Sequence, residues 1–140
     1  MSITNRTNIT LSLKAMIQLG DFAQKAAQNV GVDIVFSFVD HAGTQRYFFV
    51  MDEALLVSHE LARQKAWTAV ALKMPTLDLA EKVLPGQSLY GLQHTPNACC
   101  IGGGLPIWEN GQLLGAVGIS GGTVEQDCVI AQASISLFIR

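Results

Sequence analysis

The sequence predicts an α+β fold, in which helices flank an antiparallel β-sheet of about five strands. Three observations lead to this prediction. Apolar residues recur at helical spacing near both ends and in the middle of the 140-residue chain. Between those segments the apolar period changes to two, which is typical of strands. Short turns join the strands, and such turns connect antiparallel neighbours.

The pattern in the first part of the chain predicts one helix followed by two strands. The helix begins at Thr10, a favourable N-cap residue, and stops at Gly31, where a left-handed glycine commonly ends a helix. In residues 33–40 both alternating faces are largely apolar, which is typical of an interior strand. A turn-forming segment at 40–43 leads into an aromatic-rich strand over 44–51.

The middle of the chain predicts two helices and the start of a strand meander. Helix-forming residues dominate 56–74, and Asp52 is placed to cap the first turn of this helix. A short helix capped by Thr76 follows over 76–84. Strand character resumes at 99–101, which supplies the fifth strand of the predicted sheet.

The last part predicts a β-hairpin and a C-terminal helix. The strands 105–109 and 112–120 flank Asn110-Gly111, a strong signal for a two-residue hairpin turn. Thr123 and Gln126 have the spacing of a capping box, in which each side chain caps the backbone of the other. They therefore mark the beginning of the final helix.

Composition predicts one domain that assembles with copies of itself. The length fits a single domain over residues 1–140, and no Pro- or Ser-rich linker divides it. Hydrophobic residues make up 49% of the chain and charged residues 14%, against about 25% charged in typical proteins. These charges are too few to coat a monomer. We therefore expect a homo-oligomer, with an even number of subunits favoured because isologous contacts are commonest.

The same composition excludes several kinds of partner and cofactor. The nine Lys and Arg are scattered, so we expect no nucleic-acid partner, and no apolar stretch reaches the ~20 residues of a membrane span. The first residues do not resemble a secretory signal. Three Cys and three His show no metal-ligand spacing, so we expect no metal site and a reducing, cytoplasmic environment.

Glycines form the most unusual pattern, because eight of the thirteen lie between residues 102 and 122. One run contains Gly103 and Gly104, and the other, Ser120-Gly121-Gly122, leads directly into the capped final helix. Free N–H groups at such a helix start favour anions, so these five residues are candidate ligand-binding residues. Lys65 is the cation placed to approach them from the middle helix. The alternative is that the glycines only permit tight packing of a helix on the sheet.

Acidic residues lie where strands end or helices begin. Asp40, Asp52 and Asp127 are candidate ligand-binding residues if they form a polar rim around a pocket. The alternative is structural, since Asp40 also suits a turn, Asp52 a helix cap and Asp127 the helix dipole. No Ser-His-Asp order or G-x-S-x-G motif is present, so we assign no catalytic residue.

Five motifs occur in the order found in one protein family. They are Phe38-Val39-Asp40-x-x-Gly43, Met51-Asp52-x-Ala54, Ser58-x-x-x-Ala62-x-x-Lys65-Ala66-x-Thr68-Ala69, Gly102-Gly103-Gly104-Leu105-Pro106-Ile107 and Gly115-Ala116-Val117-Gly118-Ile119-Ser120-Gly121-Gly122-x-x-x-Gln126-Asp127. The series resembles the GlcG/HbpS family, which includes the C-terminal domain of PduO-type proteins. This resemblance implies a profilin-like sheet between helices, a homo-oligomer and, as in some members, bound heme. Two departures are Val50, where an Arg is common, and a first helix without the His that could bind heme iron.

Three functions are compatible with these observations. The first is a non-catalytic accessory protein that binds a small molecule, such as a heme or corrinoid tetrapyrrole. The second is an enzyme acting on a small polar metabolite through Asp40, Asp52, Lys65 and Asp127. The third is a structural partner of a metabolic enzyme such as a diol or glycerol dehydratase. The resemblance, the glycine cluster and the apolar composition favour the first.

Overall fold

Four antiparallel strands and three helices make up the core of the fold in the computed structural model, which describes residues 10–139. The elements are α1 (Leu13–Val30), β1 (Val35–Asp40), β2 (Gln45–Val50), α2 (Val57–Leu72), β3 (Gly104–Glu109), β4 (Gln112–Ser120) and α3 (Val124–Phe138). Single 3₁₀ turns at Thr76–Leu79 and Leu92–His94 lie in the long connection between α2 and β3. The predicted α+β class with an antiparallel sheet is confirmed.

The strand order in the sheet is β2-β1-β4-β3, so β1 and β4 are the central strands. All six residues of β1 are buried, which confirms the interior strand predicted from its two apolar faces. Asn110 and Gly111 both have positive φ angles, 50° and 78°, as the predicted tight hairpin turn between β3 and β4 requires. The capping box of Thr123 and Gln126 at the start of α3 is also confirmed.

Helices cover both faces of the sheet. Alternate residues of the central strands point to opposite faces, so each strand contributes side chains to both helix layers. Phe36, Phe38 and Val117 lie in one core with residues of α1 and α3. Val39 and Ala116, from the alternate positions, pack against Ala66, Ala69 and Val70 of α2. The sheet is thus the middle layer, with α2 on one side and the α1–α3 pair on the other.

The edge strand β2 is covered on one side only. Tyr47 and Phe49 pack against the core formed with α1 and α3. On the α2 side, Phe48 and Val50 remain 37% and 39% exposed. The apolar side chains of this outer surface are therefore open to a partner or ligand.

Two predicted helix caps are wrong. Ser12 caps α1, with its hydroxyl accepting from Ala15 N at 3.2 Å, so Thr10 lies before the cap. Asp52 lies in a turn several residues before α2, which begins after Leu56 without any side-chain cap. Sequence patterns locate helix ends to within a few residues only, and both errors are of this size.

The strand and short helix predicted between α2 and β3 are also wrong. Residues 99–101 form no strand, so the sheet has four strands instead of about five. The backbone N–H of Cys99 donates to the Thr68 hydroxyl at 2.9 Å, which ties this segment to α2 instead of the sheet. Thr76 does not cap a helix, because its hydroxyl accepts from Gly104 N at 2.8 Å.

No helix within residues 10–139 is both long and apolar enough to cross a membrane.

Candidate functional site

A buried ion pair lies at the centre of the predicted site. The Lys65 ammonium of α2 donates to an Asp127 carboxylate oxygen at 3.1 Å and to the backbone oxygen of Ile119 at 2.9 Å. The Lys65 and Asp127 side chains are only 2% and 3% exposed. The pair therefore joins α2, β4 and α3 beneath the surface of the protein.

The second carboxylate oxygen of Asp127 reaches the backbone of the glycine run. It accepts from Gly122 N at 2.9 Å. Burial raises the pKa of this carboxyl above its ordinary value, although Lys65 and the Gly122 N–H oppose the rise. The anion predicted beside the start of the last helix is thus supplied by the protein's own Asp127.

Glycines of β3 and β4 allow α2 to come this close. A Cβ atom on Gly118 would collide with the backbone oxygen of Ala62, and one on Gly104 would collide with that of Lys65. Backbone of the helix therefore rests directly on backbone of the sheet, so the Lys65 side chain reaches across β4 to Ile119 and Asp127. The contact that Gly118 permits is therefore with another backbone.

A second buried polar contact lies at the end of β4. Ser120 and Ser58 form a hydrogen bond between their hydroxyls at 3.0 Å, and both residues are nearly inaccessible, at 3% and 2%. Ser58 lies on α2 and was not among the ligand-binding residues predicted from the sequence. Its only signal was its place in the resemblance motif seven residues before Lys65.

Seven of the nine predicted ligand-binding residues lie together around this ion pair. They are Lys65, Gly103, Gly104, Ser120, Gly121, Gly122 and Asp127. We call them, with Ser58, the Lys65 cluster. The two glycine runs do meet, because Gly104 pairs with Gly118 and Ile119 N donates to Gly103 O at 3.0 Å. The role of the Lys65 cluster in binding a ligand stays a prediction.

Asp40 lies at the opposite end of β1 from this cluster. Val35 pairs with Ser120, whereas Asp40 pairs with Gly115 at the far end of the strand. Its carboxylate accepts from Ala42 N at 2.9 Å and Thr44 N at 3.1 Å. It also meets Arg46 at 3.4 Å. These contacts hold the β1–β2 turn.

Asp52 lies beyond the end of β2 and lines a separate surface cavity of about 470 Å³. Its other polar lining residues are Asp21, Gln24, Gln28, Asp33 and Tyr47. The α1 residues among them were missed, although their spacing places them on one polar face of a helix. The four polar groups of the enzyme hypothesis therefore do not converge on one place.

Few described side chains are placed to bind a metal or a cofactor iron. Residues 10–139 contain no group of three or more His, Cys, Asp or Glu that could hold a metal ion. Met16 is 1% exposed inside the core and cannot reach a ligand. His59 of α2 lies beside Phe48, with the ring centres 6.1 Å apart. Burial raises the pKa of the Cys128 thiol near the start of α3, which disfavours a reactive thiolate there.

An exposed apolar surface lies around the outer side of β2 and the turn that precedes α2. Leu55 and Leu56 in that turn and Val57, the first residue of α2, are 63%, 82% and 59% exposed. On β2, Phe48 and Val50 are also exposed apolar side chains. Exposed apolar side chains that form a patch mark contacts with partners or ligands.

A family model described as haem degrading protein HbpS-like matches residues 11–136. The chain belongs to this HbpS-like family. The match spans every helix and strand from α1 to β4 and most of α3, so the family resemblance inferred from the motifs is confirmed.

Relatives of known sequence or structure agree with this assignment. The corrinoid adenosyltransferase PduO of Citrobacter freundii is 45% identical over 137 residues, which cover 96% of this chain but 41% of PduO. The chain thus corresponds to about two fifths of that relative. The solved structure of Klebsiella pneumoniae ORFY is 44% identical with a TM-score of 0.89, and the match covers 92% of this chain and 90% of ORFY. A solved PduOC–heme complex is 46% identical with a TM-score of 0.88, covering 91% and 94%.

Proposed function

We propose that this chain is a non-catalytic accessory protein that binds a tetrapyrrole, heme or a corrinoid, and that it does so as a homo-oligomer. The observation that carries the proposal is the similarity, at 46% identity and a TM-score of 0.88, to a protein solved in complex with heme. The corrinoid alternative is supported by the similarity to part of a corrinoid adenosyltransferase.

The apolar surface of β2 fits a flat, largely apolar ring. Phe48 and Val50 lie on one face of an edge strand, where α2 leaves them partly exposed. Covering such side chains removes apolar area from water, which is the main favourable term in binding a ligand of this kind. Arg46 of β2 is 39% exposed and meets Asp40 at 3.4 Å, and its guanidinium has further N–H groups for a carboxylate of the ring.

His59 is the imidazole beside this surface, but it meets the Phe48 ring edge-on, with the ring centres 6.1 Å apart. No His occurs in α1, and the Met16 thioether is inside the core. We therefore expect apolar burial and contacts to the acidic side chains of the ring to supply most of the affinity. A non-catalytic role agrees with the contacts of Lys65 and Asp127, which satisfy one another.

The proposal is tested by titrating the protein with ferric heme and, separately, with aquocobalamin, while recording absorbance. We expect a saturable shift of the Soret band or of the corrin spectrum. The variant Phe48→Ser/Val50→Ser should weaken binding about five- to thirtyfold, because each side chain contributes roughly a third of the ~1.5–3 kcal/mol of full burial.

The matched control removes two exposed apolar side chains from a different part of the surface. Leu77 and Leu84, which are 50% and 53% exposed, lie in the connection after α2. The variant Leu77→Ser/Leu84→Ser should bind as the unaltered protein does. Absence of saturable binding of either tetrapyrrole contradicts the proposed function, and equal losses in both variants contradict the proposed surface.

Self-association is supported by the low charge content and by the exposed turn before α2. Charged residues make up 14% of the chain, and Leu56 alone is 82% exposed. We propose that Leu55, Leu56 and Val57 contact another copy of the chain. A two-fold symmetric assembly, which has an even number of subunits, places the same surface of two copies together.

A further inference from the structure

A cavity of about 540 Å³ lies where three separate elements end. Its wall includes Thr10 and Leu11 before α1, Trp108 and Glu109 at the end of β3, and Phe138 at the end of α3. Cavities of this volume accommodate small organic molecules. This one contains neither the Lys65 cluster nor the exposed side chains of β2, so it is independent of the proposed tetrapyrrole surface.

Most of the wall is apolar or aromatic. Leu11 is 8% exposed and forms part of the main core. Trp108 is 44% exposed, which is unusual for the largest apolar side chain. Phe138 packs against the same core from α3. This wall suits the hydrocarbon body of a ligand, and the indole also attracts cations to its face.

Glu109 gives the wall its charge. It is exposed and forms no ion pair within residues 10–139. Among the described residues that line the cavity, it is the only one with a charged side chain. The Thr10 hydroxyl oxygen is enclosed and has no hydrogen-bond partner among the described residues, so it does not face a ligand in the cavity.

This wall distinguishes between classes of ligand. A carboxylate ligand would be repelled by Glu109, and a hydrocarbon would leave the charge of Glu109 without a partner. An ammonium group donates charge-assisted hydrogen bonds to a carboxylate. We propose that this cavity binds a small amphipathic amine, with its apolar body against Trp108 and Phe138 and its ammonium on Glu109.

Phenethylamine is a probe of this chemistry, and 3-phenylpropionate is its acidic counterpart. Binding is measured by isothermal titration and by the two indole N–H signals of a ¹⁵N-labelled sample, since the chain has two Trp. We expect phenethylamine to saturate with a dissociation constant of about 1 mM or tighter and to bind at least about tenfold more strongly than 3-phenylpropionate. The Trp108 signal should shift, and that of Trp67, which lies against Gly43 elsewhere, should not.

Glu109→Gln should weaken phenethylamine binding by about tenfold, because a charge-assisted hydrogen bond is lost. The control Glu125→Gln removes an exposed carboxylate at the opposite end of α3 and should change nothing. The proposal is overturned if the amine binds no better than the acid, if Glu109→Gln and Glu125→Gln behave alike, or if Trp108 does not respond.

Discussion

Replacing Lys65 by Met should destabilise the protein far more than replacing the neighbouring surface cation Arg63. Lys65→Met leaves the Asp127 carboxylate 3% exposed, with the Gly122 N–H as its remaining partner. Breaking a buried pair by removing one member costs about 3–5 kcal/mol, because the other charge is left uncompensated. We therefore expect the free energy of unfolding to fall by that amount.

Arg63→Met is the matched control on the same helix. Arg63 meets Glu60 at 2.6 Å, a shorter contact than the 3.1 Å of Lys65 and Asp127, but these two side chains are 31% and 67% exposed. Exposed pairs contribute about 0–1 kcal/mol, so this variant should lose less than about 1 kcal/mol. If the contact distance alone set the energy, Arg63→Met would be the more destabilising of the two variants.

The assay is urea denaturation followed by circular dichroism, with equal m-values required so that the free energies are comparable. The double variant Lys65→Met/Asp127→Asn removes both charges and should recover at least half of the loss. A loss below about 1 kcal/mol for Lys65→Met, or a double variant less stable than Lys65→Met alone, would refute the reasoning.

The pH dependence of the same proteins gives a second readout. Because burial raises the pKa of Asp127, the folded chain binds this proton at a higher pH than the unfolded chain does. The contribution of this carboxyl to stability is therefore full below the unfolded pKa and is lost as the pH rises through the folded pKa. Relative to Asp127→Asn, which lacks this titration, the unaltered protein should gain stability as the pH falls from neutral.

Three further predictions concern assembly, iron ligation and the Lys65 cluster. Leu56→Glu should shift the protein towards its 15.0 kDa monomer in light scattering, since about 1.5–3 kcal/mol of apolar burial is lost, and an unaltered mass contradicts the proposed contact. Replacing His41, His59 and His94 together by Ala should keep heme affinity within about tenfold, whereas a loss of several hundredfold would show that His ligation carries binding. Ser58→Ala combined with Ser120→Ala leaves no buried hydroxyl unpaired, so the melting temperature should stay within about 4 °C. If the cluster binds anions, this double variant weakens binding of inorganic phosphate, and unchanged affinity removes that role.

Sequence patterns predicted the regular elements of the fold well where local signals agree. The Asn110-Gly111 turn, the capping box of α3 and the two apolar faces of β1 each depend on neighbours along the chain. The segment 99–101 failed because its apolar residues pack on α2 and on the 3₁₀ region instead of a strand partner. Only tertiary contacts distinguish those two outcomes.

For the candidate site, too, local patterns were predictable from the sequence and tertiary contacts were not. The sequence named both glycine runs and the cation Lys65 as candidates, and the predicted hairpin of β3 and β4 is what brings the two runs together. It did not predict that Asp127 would neutralise Lys65, since the pair is separated by 62 positions and no pattern reports its distance. The outer surface of β2 was not predicted either. Its exposure depends on where α2 lies across the sheet, and that is set by the glycines at Gly104 and Gly118.

Native mass spectrometry of the protein purified from cells that make both heme and corrinoids tests the central proposal most directly. The account predicts an oligomer with an even number of chains that carries a tetrapyrrole, and this ligand should be reduced in Phe48→Ser/Val50→Ser. The matched variant Leu77→Ser/Leu84→Ser should carry as much ligand as the unaltered protein. A protein that carries no tetrapyrrole, and acquires none when heme or aquocobalamin is added in excess, would contradict the account.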